Sequence, residues 1–189
     1  MKAKDLYRIL DSELRPFMTA HGFKKTKASR LTYQRNVDAK YQSVWFQCDK
    51  YGWDAYAGSK FYVNFTVSQT EDVEGVVRRD ERLNYFLTDD ELVRAREYRD
   101  EIVAKIPKPP DSHFKDMQAA FGKVVGKESA MSLMWTVRNQ FEPEEIPYRR
   151  HQDFALRYFQ PADVAGWAAF ILAVLPRAIE QMQSWSFSR

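Results

Sequence analysis

Apolar residues recur near the start of the chain at Leu6, Ile9, Leu10, Leu14, Phe17 and Met18. Spacings of three and four line one face of a helix, so the pattern predicts a helix over about residues 3–20. Gly22 is placed to stop it, and Pro16 is expected to kink it or weaken its last turn. Between residues 30 and 68 the period changes to two. Phe61, Val63, Phe65 and Val67 alternate with Tyr62, Asn64, Thr66 and Ser68, which predicts a strand with one buried face. Val44, Phe46 and Cys48 fit the same face from a preceding strand, and the aromatic stretch 51–58 lies between the two as a hairpin loop.

Residues 69–87 are acidic and show no readable period. Thr88-Asp89-Asp90-Glu91 then forms a capping box, and the helix it opens carries Leu92, Ala95, Ile102, Val103 and Ile106 before Pro107, Pro109 and Pro110 end it. A further helix is expected from Asp111 or Ser112 through Phe121, helix again over 128–141, and a loop over 142–147. Phe154, Leu156 and Tyr158 suggest one more strand. Pro161 suits the first position of a last helix whose stripe is Val164, Trp167, Ala168, Ile171, Leu172 and Leu175, with Phe170 and Val174 making it apolar nearly all round. Pro176 is expected to kink it.

This order predicts an α+β fold. An antiparallel β-meander packs against N- and C-terminal helices, with a mostly helical insertion at 71–145. One domain of 189 residues is long enough to bury a real core. With 44% apolar and 29% charged residues the composition is globular, and 15% aromatics make that core rich in rings. A single cysteine excludes an intrachain disulfide and a cysteine zinc cage. The run Val164–Leu175 reads as a buried helix rather than a membrane span, and the N-terminus lacks a signal-peptide core; the expected location is the cytoplasm.

Several segments together resemble a known family. They are His21-Gly22-Phe23-Lys24-Lys25 after an amphipathic helix, Leu31-Thr32-Tyr33-Gln34-Arg35, Val44-Trp45-Phe46-Gln47, Phe61-Tyr62-Val63-Asn64-Phe65, and Leu156-Arg157-Tyr158-Phe159 leading into Asp163-Val164-Ala165-Gly166-Trp167. The chain here resembles the mainly bacterial domain of unknown function 4304, over about residues 5–68 and 150–182. The resemblance implies a small cytoplasmic protein of unassigned role, and it brings no catalytic residues with it.

The catalytic inventory is thin. Gly122-Lys123-Val124-Val125-Gly126-Lys127-Glu128-Ser129 has one residue too few between its glycines for a phosphate loop, and Glu128 stands where the hydroxyl belongs. His21, His113 and His151 are too far apart in sequence to form a two-histidine metal edge. Cys48 shares a predicted face with Val44 and Phe46, which fits an inert thiol. No catalytic residue, metal site or cofactor is expected.

One constellation does suggest binding. Trp45, Gln47, Tyr62 and Asn64 should project together from the second face of the sheet, with Lys24, Lys25, Lys27, Arg30 and Arg35 near them in sequence. Net charge is +3, with the N-terminal part basic and the middle acidic. The expectation is a non-enzymatic binding or adaptor module for a protein partner, in one version an immunity-type protein that covers its partner's surface. The alternatives are a single-stranded nucleic-acid binder that stacks bases on Trp45 and Tyr62, and an enzyme with a dispersed Asp, Glu, Arg and His site. No membrane partner is expected.

Overall fold

The structure is a computed structural model. It describes residues 1–49, 53, 55, 58–71, 78–107, 110, 112, 115, 119 and 154–185. The amphipathic N-terminal segment forms α1 (Ala3–Ala20), with Leu6, Leu10, Leu14 and Met18 fully buried. Helix α1 runs through Pro16 to Ala20. Its end is a Schellman motif. Gly22 takes φ +79°, its N–H donates to Thr19 O, and Phe23 N–H reaches back to Met18 O at 2.9 Å. Phe23 and Met18 are both buried, the apolar contact that accompanies this motif.

The sheet is antiparallel throughout, with strands β1 (Lys24–Lys25), β2 (Thr32–Val37), β3 (Lys40–Cys48), β4 (Ser59–Ser68), β5 (Arg78–Arg82) and β6 (Leu156–Tyr158). Strands β1 to β5 lie side by side in chain order. A two-residue hairpin joins β2 to β3, with Asp38 at φ 51° and Ala39 at φ 60°, the paired left-handed geometry of a type I′ turn. Strand β6 shares one edge of β4 with β5: Ser59–Phe61 pair with β6, and Asn64–Ser68 pair with β5. Strand β5 falls inside the stretch expected to be a mostly helical insertion, so that part of the chain contributes an edge strand to the sheet.

After β5, a 3-10 turn over Leu83–Phe86 leads into α2 (Asp89–Lys105). The capping box closes α2: Glu91 N–H donates to Thr88 Oγ1, and Thr88 N–H donates to Glu91 Oε2 at 2.8 Å. The last helix, α3 (Pro161–Gln183), opens on Pro161, and the Asp163 carboxylate accepts the N–H groups of Phe159 and Gln160 at 2.8 Å. It continues through Pro176 to Gln183. Its length and composition alone would suit a bilayer. In the fold, however, Val164, Trp167, Ala168, Ile171, Val174, Leu175 and Ala178 are buried against α1 and one face of the sheet. Trp167 Nε1 donates to Arg157 O, and Arg177 donates to Phe86 O and Glu91, which tie α3 to β6 and to the start of α2. Both terminal helices therefore cover the face that carries Phe46, Phe61, Val63, Phe65 and Val67. Of the helix expected from residue 111 or 112 to 121, Ser112, Lys115 and Ala119 are described and are helical; its other residues, the stretch 128–141, the loop 142–147 and most of the 51–58 loop lie outside the described residues.

Candidate binding face

Register decides what the opposite face presents. Trp45 pairs with Asn64 and Gln47 with Tyr62, so the four predicted residues stand together on the side away from the helices. Thr32 lies across from Trp45 on β2, and Arg82 lies across from Asn64 on β5. The same parity brings Lys24, Lys60, Arg78, Asp80 and Arg157 to this face.

The four predicted residues are not equally accessible. Gln47 is exposed and Trp45 half-buried, but Tyr62 is 9% and Asn64 6% exposed. Each ring carries an arginine. The Arg30 guanidinium sits 4.1 Å from the Trp45 ring centre, and that of Arg82 sits 4.5 Å from the Tyr62 ring centre. The Trp45 indole N–H donates to Thr66 Oγ1 at 2.9 Å, and the Thr66 hydroxyl donates to Asp80 at 2.6 Å. Gln34 Nε2 donates to Ser43 Oγ and to Glu71 O. Within this bonded layer, Asn64 Nδ2 is buried and finds no hydrogen-bond partner among the described residues. A buried amide donor in that state costs about 1–3 kcal/mol.

The basic cluster expected beside this face divides between the two sides of the sheet. Lys24 and Arg30 belong to it, but Lys25 and Arg35 do not. Lys25 reaches Asp11 on α1 at 3.1 Å. Arg35 lies over the Phe23 ring and donates to Gln42 and His21 O, on the helix side. Neighbours on a strand point to opposite faces, so closeness in sequence did not mean a shared surface. In their place come Lys60, Arg78, Arg82 and Arg157, three of them from edge strands. Only strand pairing reveals these four.

The face is therefore cationic, with Asp80 bound to Thr66 and paired with Arg78. Stacking on a ring holds the flat side of each guanidinium and fixes its place on the face. The same stacks cover the ring surfaces that a nucleic-acid base would need.

The other chemical candidates stay quiet. His21 stacks on Phe17 at 4.0 Å, with Nδ1 2.8 Å from Phe17 O, at the end of α1. His113, His151 and the 122–129 segment lie outside the described residues. Among the described residues, no cluster of His, Cys, Asp and Glu could hold a metal ion. Burial pushes the Cys48 thiol up, so it is not an activated nucleophile. No family model, curated protein or solved structure matches the chain.

Proposed function

We propose that the protein is a non-enzymatic binding module whose basic sheet face docks an acidic surface of a partner protein. The observation that carries this reading is the pair of arginine–aromatic stacks on this cationic face, Arg30 on Trp45 and Arg82 on Tyr62. The stacks fix two guanidinium groups on this face, and carboxylates meet a guanidinium at the geometry arginine prefers. Kinship with the domain of unknown function 4304, a bacterial source and a cytoplasmic setting belong to this same proposal, and an immunity-type role is its narrower version.

Nucleic acid offers acceptors too, but a single-strand reader draws about 1–3 kcal/mol per base from stacking on open rings. Tyr62 is too buried for that, and Arg30 and Arg82 lie on the two rings concerned. The test is fluorescence anisotropy with labelled poly-glutamate and with labelled single-stranded oligo-dT. The reading predicts that the acidic peptide binds and that Arg82→Ala weakens it about tenfold, roughly 1.4 kcal/mol. It is overturned if neither probe binds. It is also overturned if oligo-dT binds more tightly, with affinity collapsing between about 50 and 200 mM salt.

A further inference from the structure

On the helix side of the sheet, opposite the basic face, a cavity of about 390 Å³ opens between the start of α1 and the ends of β3, β4 and β6. Its walls include Ala3, Cys48, Asp49, Trp53, Ser59 and Tyr158. Ser59 and Tyr158 are cross-strand partners, and both are nearly buried. Ser59 is 6% exposed, and its hydroxyl has no hydrogen-bond partner among the described residues. The Tyr158 phenol is its neighbour, and the Ser59 hydroxyl works against the rise that burial gives that phenol without meeting hydrogen-bond geometry with it. Trp53 is held at the edge of the cavity. Its indole N–H donates to Phe159 O at 2.9 Å, and its ring stacks on Phe159 at 5.8 Å.

We propose that this cavity binds a small uncharged ligand with a flat apolar body and a carbonyl acceptor, such as an aromatic amide. The ring of Trp53 offers a flat wall, and the Ser59 hydroxyl is a donor already stripped of water that lacks an acceptor. A buried polar group in that state is satisfied by an incoming partner. Burial pushes both the Tyr158 phenol and the Cys48 thiol up, so both are protonated donors at neutral pH. Asp49 on the wall opposes an anion, and Lys2 at the rim opposes a cation. Pockets that are mostly apolar with a few converging polar groups are the usual form of small-molecule sites.

Cys48 is the only cysteine in the chain, so its alkylation reports on this cavity without a label. The experiment follows N-ethylmaleimide modification of the full chain by mass spectrometry, with benzamide as the probe and benzoate and benzylammonium as charged counterparts. Benzamide at about nine times its dissociation constant is expected to slow the reaction about tenfold, since protection scales as one plus that ratio. Neither charged counterpart should match it. Ser59→Ala is expected to abolish the protection while leaving the melting temperature unchanged or higher, because it deletes an unsatisfied hydroxyl. Three results overturn the proposal: a thiol that never reacts in the native protein, equal protection by all three compounds, or no protection by benzamide. Full protection in folded Ser59→Ala refutes the role of the hydroxyl. Trp53→Leu, which removes the flat wall, gives the same test if Ser59→Ala does not fold.

Discussion

Asp11 is a buried carboxylate whose role can be tested by changing one atom. It lies on α1 at 7% exposure and accepts hydrogen bonds from the Tyr33 hydroxyl at 2.6 Å, from Lys25 at 3.1 Å, and from Arg15. It thereby joins the first helix to β1 and β2. Burial by itself would raise its pKa, but the bonds from Arg15, Tyr33 and Lys25 outweigh burial and bring the carboxyl from the ordinary 3.8 down to about 2. At about 1.4 kcal/mol per pH unit this corresponds to roughly 2 kcal/mol of stability, and solvent around Arg15 and Lys25, each about half exposed, lowers it to about 1–2 kcal/mol. The folded pKa lies below the unfolded one. The contribution is therefore complete above pH 4 to 5 and is lost as pH falls through 3.8 toward 2. Asp11→Asn keeps a neutral acceptor for Tyr33 and removes the charge. Urea unfolding should show the variant less stable by about 1–2 kcal/mol at pH 7 and by much less near pH 2, with an unchanged m-value. An equal loss at both pH values would refute the electrostatic account and leave only a packing effect.

Three further outcomes follow from local geometry. A methyl added at Gly166 would run into the Tyr98 hydroxyl oxygen and stand 2.6 Å from the ring carbon that bears it, where Tyr98 packs α2 onto α3 and donates to Asp163 O. Gly166→Ala should cost about 1–3 kcal/mol by chemical denaturation, and adding Tyr98→Ala should cancel part of the clash; simple additivity of the two losses would show that the contact is not tight. Ala39 holds φ 60° in the β2–β3 hairpin, so Ala39→Gly should gain about 0.5–1 kcal/mol of stability, whereas a loss would argue against the left-handed turn. Because burial raises the Cys48 thiol, its alkylation rate should still be climbing above pH 9.0, the ordinary thiol value, and a midpoint at or below 9.0 would show an open or activated thiol.

The parts of this fold legible in the sequence are those whose signal is local. Phe61, Val63, Phe65 and Val67 state their face by period alone, Thr88 and Glu91 state a helix start three residues apart, and Gly22 states a helix end. Strand β5 carries no such signal. Arg78-Arg79-Asp80-Glu81-Arg82 is charged throughout, and it is a strand because the free edge of β4 lies next to it. The prolines do not end their helices: α1 and α3 are held by packing and run on through Pro16 and Pro176. For the candidate face, alternation placed Trp45, Gln47, Tyr62 and Asn64 together. The arginines that cover the two rings come from a loop and an edge strand, 15 and 20 positions away. Such pairings depend on register, which a single sequence does not display. The cavity beside Ser59 was hidden for the same reason, since its walls come from α1, β3, β4 and β6.

The central claim, that the arginine-capped sheet face is the docking surface, is tested most directly by charge reversal. Arg30→Glu with Arg82→Glu would be compared with Arg94→Glu, an exposed site on α2, in the same titration with labelled poly-glutamate. The account predicts that the double reversal on the sheet abolishes binding, while the α2 reversal changes affinity by no more than about twofold. Unchanged binding after the sheet reversal, or equal loss in both proteins, would contradict it.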